Sequence, residues 1–418
     1  MDDESALDPR DHERLVLAVT ALGQRPEDSI DVGRRLLPGQ RPLPVELPRF
    51  QLALLPTPLH DAPRLARAVG VRRLLIKHDN LTAFAAGGNK VRKLEFAIGR
   101  ALARGADTIV AVGGPQSNCV RTAMISARVA GLDPVAVLYG SPPATREGNL
   151  LLETIAGARL IWTRDDDRGS TGPAAQAIME DLRAQGRHPY FIPRGAATPV
   201  GCAAYVEAAA ELQAQLDAID ERPDFLVLAS GSCGTQAGLL AGATWLDVSY
   251  RIVGILVSRT RDESVGRFLD LARATAELLQ LGVTIGPERV HAEDAYLGER
   301  FGIATPEGDA AMRLAMRTEG IVLEPVYTSK ALAGLIDLVR RAVIPSDSSV
   351  VFLHTGGEPL LFARHPQYAS GLEVMLPGGR RWAERHSPPR VTGVRVTATS
   401  PWVSFPFSPV PIAHCSRR

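Results

Sequence analysis

Phe225-Leu226-Val227-Leu228-Ala229-Ser230-Gly231-Ser232-Cys233-Gly234-Thr235-Gln236-Ala237-Gly238 is the stretch on which the fold turns. A short apolar run, strand-like over Phe225 to Leu228, breaks on small residues, and an apolar pattern at helical spacing then occupies Gly234 to Leu246. Strand, tight loop and helix follow one another within some twenty residues. The same succession recurs outward in both directions. Buried strands are predicted at Thr108 to Val112, Pro134 to Leu138, Arg159 to Trp162, Ile252 to Val257 and Val350 to Leu353. Helices are predicted near Val91 to Ala103, Val120 to Ala130, Leu150 to Ile155, Pro173 to Ala184 and Cys202 to Leu216. Alternation of this kind builds βαβ units and a parallel sheet, so the fold class is α/β.

The 418 residues are 45% hydrophobic and 22% charged, enough apolar content for two or three domains at ~100–200 residues each. Forty-seven basic side chains face 46 acidic ones, a net charge of +1 that argues against nucleic acid or an anionic membrane as partner. No apolar run reaches the ~18–20 residues that span a bilayer. The start, Met1-Asp2-Asp3-Glu4, is acidic where a secretory leader is basic, and a cytoplasmic protein is expected. Cys119, Cys202, Cys233 and Cys415 are scattered, with no Cys-x-x-Cys pair, so free thiols and no metal are expected. Only four of the basic residues are lysines: Lys77, Lys90, Lys93 and Lys330.

Residues 1–46 read as an N-terminal extension with one helical stretch near Glu13 to Leu22. Residues 376–418, punctuated by six prolines from Pro388 to Pro411, read as an irregular tail. No internal repeat is visible.

In open parallel sheets ligands gather at the carboxyl ends of strands, and three strand-to-helix junctions draw the search. At Ser230 to Gly238 small residues let backbone N–H groups converge on a helix N-terminus, a geometry for phosphate or merely a tight turn. The spacing is wrong for a dinucleotide fingerprint, because Cys233 stands at the third loop position and the next strand ends in Ser258-Arg259, with no acidic residue at that end to take a ribose hydroxyl; a Walker lysine is missing too. At Gly87-Gly88-Asn89-Lys90-Val91-Arg92-Lys93, Asn89 is a natural N-cap, which puts Lys90 in the first helical turn, where the helix dipole favours its neutral amine. The ordinary alternative is a pair of solvated lysines. At Val112-Gly113-Gly114-Pro115-Gln116-Ser117-Asn118 the last two residues are helix caps or cofactor ligands. A lysine nucleophile, a phosphate cradle and small polar groups together describe pyridoxal 5′-phosphate chemistry.

Gly87 to Phe96, Gln116-Ser117-Asn118, Gly231 to Thr235, Glu324-Pro325-Val326-Tyr327, His354-Thr355-Gly356-Gly357 and the opening Leu55-Pro56-Thr57-Pro58-Leu59 resemble the D-cysteine desulfhydrase and 1-aminocyclopropane-1-carboxylate (ACC) deaminase family. The resemblance runs in order from about 50 to 365. It implies a two-domain, fold-type II pyridoxal-phosphate enzyme of tryptophan-synthase-β-like fold, acting as a homodimer. Its large cofactor domain would comprise 47–89 and 196–375, and its small domain 90–195. The resemblance further implies that Lys90 binds the cofactor covalently, Asn118 hydrogen-bonds its 3′-oxygen, and Gly231, Ser232, Cys233, Gly234 and Thr235 hold the phosphate. Ser117 would stand near the substrate, Tyr327 beside the pyridine ring and Thr355 near the ring nitrogen. The other three lysines have surface or packing explanations.

Cys233, Cys119, Thr122 and Glu358 depart from the family pattern, and a side chain at 233 narrows the phosphate loop if that position needs positive φ. ACC deaminases resemble Val-Tyr-Glu-Gly-Lys where this chain has Val326-Tyr327-Thr328-Ser329-Lys330. Without that carboxylate the ring is a weaker electron sink, which favours β-elimination from D-cysteine or a similar amino acid, giving pyruvate, ammonia and sulfide, over ACC opening. A nicotinamide-dependent oxidoreductase and a non-catalytic ligand-binding relative are the alternatives from other classes.

Overall fold

A computed structural model describes residues 36–363. The helical stretch near Glu13 and the tail from 376 lie outside the described residues. Among the described residues ten strands form two sheets. The larger joins β1 (Leu59–Asp61), β2 (Arg73–Lys77), β7 (Phe225–Ser230), β8 (Arg251–Leu256), β9 (His291–Glu293) and β10 (Ser349–Leu353) in the order β1-β2-β10-β7-β8-β9. All its pairings are parallel except β1 with β2. The smaller is fully parallel, in the order β5-β4-β3-β6, from β3 (Thr108–Gly113), β4 (Asp133–Leu138), β5 (Arg159–Trp162) and β6 (Pro189–Ile192).

The six predicted strands are all present, within two residues at each end. β1, β2, β6 and β9 were not predicted: three of them have only three or four residues, and β2 carries Arg73 and Lys77 at its ends. The helix Arg261–Leu278 was also missed, although Thr260 and Glu263 form a capping box at its start.

Alternation places the strands between layers. In β3, Ile109 and Ala111 join the helices Lys90–Ala103 and Asn118–Val129, while Val110 and Val112 turn to Ala175 and Leu182 of the helix Thr171–Ala184. Both faces are covered, as a parallel sheet requires. In the larger body the helices Pro199–Ala218 and Gly234–Leu246 are buried along most of their length and form the main core with β7, β8 and β10. Leu43 and Val45, within the N-terminal extension, pack against that core.

Candidate active site

Lys90 owes its place to two glycines. Gly87 and Gly88 have φ of 66° and 101°, and a Cβ on Gly87 would stand 1.9 Å from the Asn80 carbonyl oxygen, so only glycine lets the chain enter the helix Lys90–Ala103 here. Asn89 does not act as the expected side-chain N-cap: it is already helical, and its side chain caps no N–H. Its amide instead donates to Thr235 Oγ1 at 3.0 Å and accepts from Lys90 Nζ at 2.8 Å, tying the lysine to the loop after β7. Burial, with the Lys93 charge as the second cause, pushes the Lys90 pKa down to about 7. Desolvation, more than the helix dipole, makes this amine available in neutral form.

The other lysines are engaged in packing, none of them solvated. Lys77 is buried against Glu211, with Nζ–Oε1 2.5 Å. Lys93 lies beneath the loop after β7 and donates to the Gly195 carbonyl at 3.3 Å. Lys330 donates to the Leu297 carbonyl at 2.7 Å.

The loop after β7 turns at Cys233, whose φ of 73° is the left-handed value anticipated for that position. Its side chain leaves the loop for the main core and meets the Ser264 hydroxyl, so the thiol is largely accommodated in the core. Gly231 offers its carbonyl to Ser258 Oγ at 2.8 Å and to the Arg259 guanidinium at 3.0 Å. Ser230 Oγ is buried without a hydrogen-bond partner.

On the opposite wall Ser117 caps the helix Asn118–Val129, its Oγ accepting from Val120 N at 3.2 Å. Cap and cavity wall are one residue here. Asn118 is oriented through a relay: Arg121 donates to Asn149 Oδ1 at 3.0 Å, and Asn149 Nδ2 donates to Asn118 Oδ1 at 2.8 Å. The Asn118 N–H₂ therefore presents on its other side, where a Cβ on Gly357 would stand 2.8 Å from Nδ2. Tyr327 meets Phe301 edge to face at 5.9 Å. Its backbone N–H, with those of Val326 and Thr328, donates to the buried Glu324 carboxylate, whose pKa burial raises to about 7.

All ten residues singled out in the sequence except Gly234 line one cavity of about 280 Å³; Gly234 opens the helix behind it. Thr328 is not in the wall, because its hydroxyl is turned into the Glu324 loop. The sequence reading did not find Arg168, Arg194, Tyr139 or Phe301, which also line the cavity, nor Arg121 and Asn149 behind it. Arg168 and Arg194 follow short strands β5 and β6, and that position at strand ends was the one signal available for them.

A buried Ser230 hydroxyl with no hydrogen-bond partner among the described residues, a helix beginning at the same loop and an amine held near neutrality together fit a phosphorylated aldehyde cofactor. Residues 50–356 match the family described as pyridoxal-phosphate dependent enzyme.

The chain belongs to this family.

This pyridoxal-phosphate-dependent enzyme uses pyridoxal 5′-phosphate. It is 39% identical over 324 residues to a D-cysteine desulfhydrase of Salmonella paratyphi C (strain RKS4594), covering 76% of this chain and 97% of that protein. A D-cysteine desulfhydrase of Salmonella choleraesuis (strain SC-B67) is 39% identical over 325 residues, with the same coverage. Among solved structures, an ACC deaminase homologue superposes with a TM-score of 0.73 at 36% identity, covering 78% of this chain and 96% of its own. A fungal L-serine ammonia-lyase from Rhizomucor miehei, 19% identical with a TM-score of 0.56 over 76% of this chain and 99% of its own, shares the fold.

Proposed function

We propose that this enzyme removes the α-proton of a small β-substituted amino acid and expels the β-substituent, with D-cysteine as the leading substrate and pyruvate, ammonia and sulfide as products. The observation that carries the reading is Lys90: among the four lysines it alone reaches the cavity, with a pKa near 7. The likeness to D-cysteine desulfhydrases over most of the chain supports the substrate. When bound, the cofactor supplies an electron sink for the charge left at the substrate α-carbon.

The chain's own residues divide the remaining work. Lys90 would anchor the cofactor, and either its freed amine or the Ser117 hydroxyl would take the substrate α-proton. Asn118 donates to the 3′-oxygen with the amide that Asn149 and Arg121 orient. The N–H groups of the loop Gly231 to Thr235 would hold the phosphate. Tyr327 flanks the pyridine ring, and Ser117 faces the substrate. Thr355 meets the ring nitrogen with a hydroxyl, which cannot retain a proton there as a carboxylate does. Glu324 does not fill that role: its carboxylate is taken up by three backbone N–H groups and is not in the cavity wall. A weak sink suits a reaction whose leaving group departs as the α-proton is lost.

We assign 47–89 with 196–375 to the large domain and 90–195 to the small one. We read the active species as a homodimer, which light scattering tests as a mass twice 44.8 kDa. Contraction in small-angle scattering on adding substrate tests the two-domain division. For the reaction itself, the purified enzyme should show visible absorbance from the lysine-bound cofactor, and Lys90→Ala should abolish both the absorbance and turnover. Keto-acid release is then measured for D- and L-cysteine, β-chloroalanine, cysteate and ACC. An unchanged spectrum in the Lys90 variant, ACC as sole substrate, or ammonia without pyruvate would overturn the reading.

A further inference from the structure

Three guanidinium groups share the cavity wall with Lys90: Arg168, Arg194 and Arg259. No Asp or Glu lines that cavity among the described residues. Each arginine is held by neutral oxygen. Arg168 donates to the Ser258 carbonyl at 3.0 Å, Arg259 to the Gly231 carbonyl at 3.0 Å, and Arg194 to the Arg168 carbonyl at 2.5 Å and Thr171 Oγ1 at 3.4 Å. The acids nearest them are occupied at the surface: Asp167 accepts from Gly169 N, and Glu263 accepts from Thr260 N. Arg194 Nε is buried with no hydrogen-bond partner among the described residues.

Arg194 also stands between the two functional walls. Its neighbour Gly195 abuts Ser232 of the phosphate loop, where an added Cβ would come within 2.1 Å of the serine hydroxyl. On the other side Arg194 lies in the field of Tyr139, whose hydroxyl is 2.7 Å from the Cβ position of Gly114 in the loop leading to Ser117. A cofactor phosphate brings about −1.5 to −2 charges. Three guanidinium groups and a helix N-terminus worth about +0.5 exceed that by about 1.5 to 2 units, so about 0.5 to 1 unit of positive charge remains after the α-carboxylate that every amino-acid substrate brings.

We propose that Arg168, Arg194 and Arg259 form a subsite for an oxyanion on the substrate's β-carbon, so that the preferred substrates carry a sulfonate or like group in addition to the α-carboxylate. The inference rests on the β-elimination reading above and narrows its substrate class. For a sulfonate the carbon–sulfur bond breaks with its electron pair on sulfur, while the α-proton passes to Lys90 or Ser117. Water then hydrolyses the released enamine through its imine, so that cysteate and water give pyruvate, ammonium and hydrogen sulfite with no oxidant. The leaving group gains charge as it departs, and the guanidinium groups meet that charge.

The test uses holoenzyme and two substrates with the same amino-acid head: cysteate, in both enantiomers, and neutral β-chloroalanine. In Arg194→Gln, kcat/KM for cysteate should fall by about 10- to 100-fold, the worth of a charge-assisted hydrogen bond, through kcat as well as KM. β-Chloroalanine turnover and the cofactor Kd, from titration of apoenzyme, should change less than about threefold, and Arg194→Lys should recover part of the cysteate activity. Parallel loss for both substrates, or a weakened cofactor Kd that accounts for the loss, would assign the arginines to the cofactor phosphate and overturn the proposal. Wild-type turnover of β-chloroalanine but of neither cysteate would overturn it as well. If no substrate yields keto acid, the reaction reading fails. The subsite is then read from the cofactor spectrum: saturable perturbation by cysteate in wild type that is lost in Arg194→Gln supports it, and no perturbation overturns it.

Discussion

On the proposed attachment of the cofactor to Lys90, the governing quantity is the fraction of neutral amine, because only that form attacks an aldehyde. With the pKa lowered to about 7 by burial and by Lys93, that fraction rises about tenfold per pH unit below 7 and is nearly constant above it. Capture of pyridoxal 5′-phosphate by apoenzyme should therefore accelerate between pH 5.5 and 7 and level off, as stopped-flow absorbance would show. A rate still climbing at pH 9 would mean an ordinary lysine. The motif around Lys90 was readable in the chain, yet the reason assigned to it was incomplete, because which atoms bury an amine is decided by distant segments such as the loop at Thr235. Arg121 marks the same limit: nothing in its local pattern says that it orients Asn118 through Asn149, 28 residues away.

Among the elements, the helices Pro199–Ala218 and Gly234–Leu246 set how closely the phosphate loop approaches Lys90. Gly238 and Gly242 let them touch backbone to backbone. A Cβ on Gly238 would fall 2.2 Å from the Cys202 carbonyl oxygen, and one on Gly242 2.7 Å from Ala209 Cβ. Gly238→Ala raises helix propensity but overpacks this contact, with a carbonyl that cannot move without its own helix. It should destabilise by roughly 1–3 kcal/mol, read as a lowered urea midpoint, whereas a stabilised variant would show that the helices separate freely. Strands such as β3 and β7 were legible because buried parallel strands are continuous apolar runs. β1 and β9, three residues each, exist only as additions to a neighbour and carry too little pattern to be seen.

Across the whole molecule, two buried histidines make stability depend on acid. His354 Nε2 donates to the Val322 carbonyl and its Nδ1 accepts from Gly356 N, so the ring is held neutral. His78 stacks on His60 at 4.4 Å. Burial lowers both pKa values to about 4, so below pH 6.5 the unfolded chain takes up protons that the native state refuses. Stability should be full above pH 6.5 and decline toward pH 4, by on the order of 3 kcal/mol for His354 alone. Glu211, held at about pH 2 because Arg92 and Lys77 outweigh its burial, extends the loss from pH 4.5 downward. Denaturant midpoints across pH 7.5 to 4 measure this, and a flat profile would contradict it. By itself the sequence determined the α/β class, the order of the main elements and the junctions that carry Lys90, Ser117, Asn118 and the phosphate loop, because periodicity, glycine placement and strand-to-helix turns are local properties of the chain. Only the tertiary structure decided that Asn89 turns from capping to Thr235 and Lys90, that Thr328 is spent on Glu324, and that arginines from the ends of β5, β6 and β8 converge on one cavity. Those outcomes depend on distances between segments up to 146 residues apart, and such distances exist only once the chain has packed.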